Sequence, residues 1–239
     1  MSINTTFTKE NLDRYLSLLA KEYRKRNGTQ MRAEIILIGG AAVLTNYGFR
    51  DMTYDIDAII RASSSMKDAI NVVGDELGLP NGWLNSDFTK TASYSPKLLQ
   101  YSKFYKRFGY VLEVRTISRE YLVAMKLMSG RKYKNDLSDI IGILYEEQEK
   151  GNPISIEQIS DAVCNLYGDL GNLPQDSRDF LSEIMNTSNI ENLYKFYRAN
   201  EISAKESLID FEKNCPNIVT TDNVNDIIKQ LQERKRNTP

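Results

Sequence analysis

From Thr8 to Asn27, apolar residues recur at helical spacing: Leu12, Tyr15, Leu16, Leu19 and Tyr23 share one face. Thr8 stands where an N-cap belongs, so the pattern predicts an amphipathic helix over 8–27. EIILIG at 34–39 is a short unbroken apolar run and reads as a buried strand. The pair Gly39-Gly40 follows and leads into AAVLTNY, a short helix. Residues 54–60 form a second strand, Ser65 to Leu77 a helix, and PNGWLNSDFTKTASYSPK a polar loop rich in turn residues. LLQYSKFYKRF and YVLEVRTI, both rich in aromatic and β-branched residues, flank Gly109 as a hairpin. Ser118 then caps a nearly apolar helix, REYLVAMKLMSG, and DLSDIIGILYEEQEK supplies the next.

Beyond residue 150 the strand pattern stops. Ser155 with Gln158 makes a capping box, and helical patterning returns around 176–186, 189–199, 202–213 and 222–235. Gly168, Gly171 and Pro174 punctuate this part without setting up a repeat. The expected organisation is a domain of strands and helices over 1–150 and a helical domain over 151–239. LYKFYRAN interleaves aromatic and cationic residues, a pattern shared by nucleic-acid stacking surfaces and by ordinary helix cores. The terminal QERKRNTP reads as a frayed basic tail.

Composition narrows the chemistry. The chain has 31 basic and 32 acidic residues, a net charge of -1, so no global field recruits nucleic acid or an anionic membrane. The opening MSINTTFTKENLDRY has neither a basic nor an apolar leader segment, and no run approaches the roughly 18 apolar residues of a membrane span, so a cytoplasmic location is expected. Cys164 and Cys215 lie far apart with no CxxC partner and read as free thiols. Histidine is absent. That removes imidazole bases, Ser-His-Asp triads and His-ligated zinc, and leaves carboxylates, lysines, hydroxyls or a metal to do any chemistry.

Within the second strand, Asp55 and Asp57 are spaced i, i+2 and point the same way, while Ile56, Ala58 and Ile60 point at a core. At roughly 5 Å and an effective dielectric of about 20 the two charges repel by about 3 kcal/mol, so something positive belongs between them. Oxygen-only ligands suit magnesium, which completes its shell with water and substrate phosphates. The alternative is a strand end whose aspartates are solvated or paired with Arg50 and Arg61. The Gly39-Gly40 turn can offer backbone N–H groups to a phosphate, or it can be a tight turn that needs small residues for packing. Glu113, between Leu112 and Val114, could supply a third oxygen ligand or a base, or belong with Arg115 to a half-solvated row. Lys126 either snorkels to water or is drawn inward by anions; Asp136 and Asp139 share a helix face and could orient it or Lys134. Trp83, Asn85, Asp87 and Phe88 either line the mouth of the site or, for Trp83, anchor the loop to the core.

Taken together, GG...DIDAII, then LEV, then EYLVAMKLMSGRKYKNDLSDI resemble the nucleotidyltransferase-fold proteins of the DNA polymerase β superfamily over about residues 34–145. More narrowly, they resemble a bacterial branch related to the toxins of abortive-infection toxin-antitoxin systems. The resemblance implies an α+β fold, a mixed sheet flanked by helices with a helical C-terminal region. It implies Gly39 and Gly40 at the nucleotide phosphates, and Asp55, Asp57 and Glu113 as magnesium ligands. Lys126, Lys134 and Asp136 would serve the nucleotide, with Asp55, Asp57, Glu113 and Lys126 as the catalytic set. A nucleoside triphosphate is then the donor, and the acceptor is a transfer RNA, a protein or a small molecule, with an antitoxin as a protein partner. The contrasting expectation is an inactive fold of the same kind that binds without catalysis. The sequence departs from the pattern in three places: Gly40 stands where many members have serine, Asn135 separates Lys134 from Asp136, and the interval from Gly40 to Asp55 is long.

Overall fold

A computed structural model describes residues 6–132, 134–187, 189–220 and 223–237, with side chains described as far as 231. In chain order the elements are α1 (Lys9–Asn27), β1 (Ala33–Leu37), α2 (Gly39–Asn46), β2 (Ile56–Arg61), α3 (Ser65–Leu77), β3 (Leu84–Asn85), β4 (Ser102–Phe108) and β5 (Leu112–Ile117). Then come α4 (Arg119–Ser129), α5 (Asp136–Glu149), α6 (Ile156–Tyr167), α7 (Gln175–Asn186), α8 (Ile190–Asn214) and α9 (Val224–Asn237). This is the expected α+β architecture, with a helical C-terminal region. The chain divides into two compact units: residues up to Met125 with Ser155–Leu170, and Lys126–Ile154 with the chain from Gly171 onward.

The first unit is built on a five-stranded mixed sheet in the order β3-β2-β1-β5-β4. β1 runs antiparallel to β2 and parallel to β5, β2 parallel to β3, and β4 antiparallel to β5. Ile35, Leu37, Ile56, Ala58, Leu112 and Val114 occupy one face and share a core with Leu12, Leu16 and Leu19 of α1 and with Met66, Ala69 and Val73 of α3. Each such buried Leu, Ile, Val or Met side chain contributes roughly 1.5–3 kcal/mol. The helical periodicity of α1 is thus the imprint of this face, and Thr8 caps it in a capping box with Asn11. Trp83 settles one alternative: it is buried, donates from Nε1 to the Ile70 carbonyl at 3.0 Å, and packs with Phe7 and Tyr15. It anchors its loop to the core.

One boundary differs from expectation for a local reason. The first hairpin strand starts at Ser102, because the Pro96–Tyr101 stretch closes into a 3-10 helix led by its proline. Ser118 spends its hydroxyl on the Tyr101 carbonyl.

In the second unit, the segments expected as separate helices over 189–199 and 202–213 are one helix, the 25-residue α8. No Gly or Pro interrupts that stretch, and the polar step at Asn200-Glu201 turns out to be a contact with α5. Cys164 and Cys215 are free thiols. Among the described residues, no helix is long and apolar enough to cross a membrane. The side chains of the charged stretch from Gln232 onward lie outside those described.

Candidate active site

β1 ends at Leu37, and the chain turns through Ile38 into α2 at Gly39, whose φ of +53° lies in the left-handed region that L side chains rarely adopt. A β-carbon on Gly39 would stand 3.7 Å from Asp57 Oδ2. Gly40 is more tightly enclosed, since a β-carbon there would lie 2.6 Å from Thr53 Oγ1 and 2.9 Å from Arg50 Nη2. The Thr53 hydroxyl in turn donates to the Asp55 carbonyl at 3.2 Å and lies 3.5 Å from Asp55 Oδ1. Asp57 therefore borders the first glycine, and Thr53 links Asp55 to the second.

Alternation explains the placement. Ile56 and Ala58 are fully buried, whereas Asp55 is exposed and Asp57 half-buried, so both carboxylates lie on the side away from that core. β2 itself begins at Ile56, and Asp55 immediately precedes it. Ile38 N donates to the Asp57 carbonyl at 3.1 Å, which fixes Asp57 opposite the start of the glycine turn. Asn85 of β3 is in register with Asp57 on its other side. On the opposite flank of α2, Asn46 accepts from Thr116 Oγ1 at 3.0 Å and ties the helix to β5.

Glu113 is not brought to the aspartates. In the sheet register it lies level with Glu34, and Glu34 with Arg61, whereas Ala58, next to Asp57, is level with Leu37 and Thr116. Three residue steps, roughly 10 Å along the strands, separate those levels. Glu113 is instead held by Arg107 at 2.6 Å and Arg115 at 3.2 Å. The Arg107 hydrogen bond, with Arg115 adding to it, keeps its carboxyl below the usual range. It is part of a charge row at the opposite end of the strands, so the residue expected as third ligand and base stands in an ion pair away from the aspartates. Arg61 belongs to the same row through its 3.0 Å pair with Glu34.

The donor set at the turn is then two hard carboxylates beside a backbone bend with a guanidinium close by. That set fits a small divalent cation that takes one or two protein carboxylates and fills its shell from water and phosphate. Among the described residues, no group of three or more His, Cys, Asp or Glu side chains is placed to hold a metal ion.

The second unit gathers the remaining residues into a cluster of its own. Lys126 does not snorkel: it is buried, with Nζ 3.1 Å from Asp136 Oδ1 and 2.7 Å from Asp139 Oδ2. Arg131 Nε reaches Asp136 Oδ2 at 2.8 Å. The i, i+3 spacing on the first turn of α5 presents both carboxylates to the lysine, so Asp136 and Asp139 share the role rather than compete for it. Burial alone would push the Asp136 carboxyl up, but the charges of Lys126 and Arg131 outweigh it and hold it well below the usual carboxylate range. Lys134 is exposed, outside this cluster.

Residues 14–149 match a family model described as a nucleotidyltransferase of unknown function (DUF6036). The chain belongs to this family. No curated protein and no solved structure matches it. The family match spans both glycines, both aspartates, Glu113, Lys126, Lys134 and Asp136, and ends at the last residue of α5. Membership makes the chain a nucleotidyltransferase at the level of its family description.

Sequence reasoning missed three residues that matter. Thr53 and Arg50 were visible only as a loop threonine and a counter-ion; their approach to Gly40 depends on the path between α2 and β2. Glu201 carried no signal at all. It is buried within α8, where Oε1 accepts from Leu137 N at 3.0 Å and Ser138 N at 3.1 Å and Oε2 from the Ser138 hydroxyl. It thereby satisfies the N-terminal amides of α5 that Asn135 leaves without a side-chain cap. Burial, reinforced by the nearby Asp139 and Asp136, raises its carboxyl to about 7 against the pull of its Ser138 hydrogen bonds.

Proposed function

We propose that the chain transfers a nucleotide from a nucleoside triphosphate to an acceptor hydroxyl, with magnesium held by Asp55 and Asp57. The observation that supports this reading is the pairing of the two carboxylates with the diglycine bend: Asp57 Oδ2 beside Gly39, and Asp55 joined through Thr53 to Gly40. When bound, the metal supplies charge neutralisation to the phosphates. The Gly39-Gly40 backbone seats the phosphate chain, and the left-handed Gly39 keeps the approach to Asp57 open. The Arg50 guanidinium, beside Gly40, offsets charge on the departing group. The acceptor oxygen forms a bond to the α-phosphorus as the bond from that phosphorus to the bridging oxygen breaks. Pyrophosphate leaves with the electron pair, and the hydroxyl proton passes to solvent.

The placement of Glu113 favours a second reading, a family member that binds a nucleotide without transferring it. Incubation with each labelled nucleoside triphosphate, magnesium and transfer RNA, protein or small-molecule acceptors separates the two. Transfer predicts magnesium-dependent label on one acceptor class; a binding module predicts retention of nucleotide with none. The proposal extends to a toxin role countered by an antitoxin protein: expression would arrest bacterial growth, and Asp57→Asn would relieve the arrest.

A further inference from the structure

The first unit carries its charge unevenly. At the end of the strands away from Asp57, Arg61, Glu34, Glu113 and Arg107 stand in one row across β2, β1, β5 and β4. In-register neighbours share a face, so all four side chains point to the same side of the sheet. Together with Arg32 and Tyr110 they line an open cavity of about 310 Å³. Backbone pairing brings these last two in: Ala33 N donates to the Val111 carbonyl at 2.8 Å, which sets Arg32 beside the tip of the β4-β5 hairpin.

Both carboxylates are matched within the row. Glu34 pairs with Arg61 at 3.0 Å, and Glu113 with Arg107 at 2.6 Å and Arg115 at 3.2 Å. Arg32 is different: its side chain is exposed and has no hydrogen-bond or ion-pair partner among the described residues. The same holds for Arg24, one helical turn beyond Ala20, the α1 residue that meets the hairpin turn at Gly109. Three arginines and two glutamates line the cavity, so its surplus charge is positive. The cations are guanidinium groups, whose planar forks match phosphate oxygens two at a time.

Tyr110 is an independent feature of the same wall. Its side chain is 85% exposed, and its φ of +63° lies in the left-handed region, where a hairpin turn favours glycine, asparagine or aspartate. Neither turn geometry nor core packing calls for an aromatic residue there. A free ring beside guanidinium groups is a platform on which an unpaired base stacks. A flat anionic bilayer would not follow the concave wall, and a peptide carboxylate gains nothing from the ring.

We propose that this end of the first unit binds a single-stranded polynucleotide, with phosphates at Arg32, Arg61 and Arg107 and a base stacked on Tyr110. Glu34 and Glu113 act as braces that hold the Arg61 and Arg107 forks in place. The whole chain has a net charge of -1 and no long-range field, so binding is local to these side chains. The site is separate from the Asp55 and Asp57 pair, and binding requires neither a triphosphate nor magnesium.

The test is fluorescence anisotropy of the full chain with labelled oligouridine and oligodeoxythymidine of about ten nucleotides, at low ionic strength and without triphosphate or magnesium. Saturable binding of either strand is expected, and a preference for one names the sugar that is read. Three phosphate contacts predict that log affinity falls against log salt with a slope of about -2. Arg32→Ala should weaken binding about fivefold and make that slope shallower by about 0.7. Tyr110→Ala should weaken it about tenfold with the slope kept, and Tyr110→Phe, which retains the ring, should bind like the parent. Lys97→Ala, which removes an exposed charge ahead of β4 at its other end, should change nothing. Arg32 and Tyr110 are exposed, so the unfolding midpoints of their variants should match the parent's. Absence of oligonucleotide binding overturns the proposal. So does binding that Arg32→Ala and Tyr110→Ala leave intact, or equal binding of polyglutamate or of phosphatidylserine vesicles.

Discussion

Thr53 Oγ1 stands 2.6 Å from the point that a β-carbon of Gly40 would occupy. This contact leaves a side chain at residue 40 no room: the hydroxyl at this place comes from Thr53. Gly40→Ser should therefore destabilise the first unit by about 1–3 kcal/mol through overpacking. Denaturant unfolding measures the loss. Thr53→Ala alone removes a buried hydroxyl, yet in the double variant it should recover part of the Gly40→Ser penalty; simple additivity would show that the clash is relieved elsewhere.

Asp57→Asn and Glu113→Gln make an informative pair. The first should lower nucleotide transfer by about a hundredfold or more with the unfolding midpoint nearly unchanged. The second should leave transfer within a few-fold of the parent, because Glu113 belongs to the Arg107 and Arg115 row at the other end of the strands. Rates measured on the same labelled triphosphate decide it: equal losses in both variants would put Glu113 back at the site.

Lys126 lies between two buried aspartates, so Lys126→Met should cost about 3–5 kcal/mol by removing the buried ammonium that pairs with both. Lys134→Ala, on an exposed side chain, should change stability by no more than about 0.5 kcal/mol. Unfolding curves of the two variants side by side would expose an error, which would appear as comparable midpoints.

Glu201 sets a pH dependence of its own. Its carboxyl is raised from 4.5 to about 7 in the folded state, so between those values the folded chain binds the proton that the unfolded chain has released. Stability from this group is thus fully present below about pH 4.5 and is lost as pH rises through about 7. Asp136 acts in the opposite sense: its lowered carboxyl contributes stability above its ordinary value of 3.8 that is lost on further acidification. Thermal melts from pH 4.5 to pH 8 should show the Glu201 decline, and Glu201→Gln should flatten it while keeping an acceptor for the α5 amides.

Period and punctuation in the chain were enough to place α1, α3, the apolar strands and the capped α6, because those elements are dictated by which face must leave water and by caps a few residues away. The same local rules put Asp55 and Asp57 together beside a glycine bend. Strand register decided the position of Glu113, since an apolar-flanked carboxylate looks alike at either end of a sheet. Whether Lys126 turned inward, and where Glu201 found its partners, rested on α5 and α8, 10 and 64 residues away in the chain at their points of contact. Contacts at such separations carry no periodic mark in the sequence, and only the packed chain brings the charges close enough to choose.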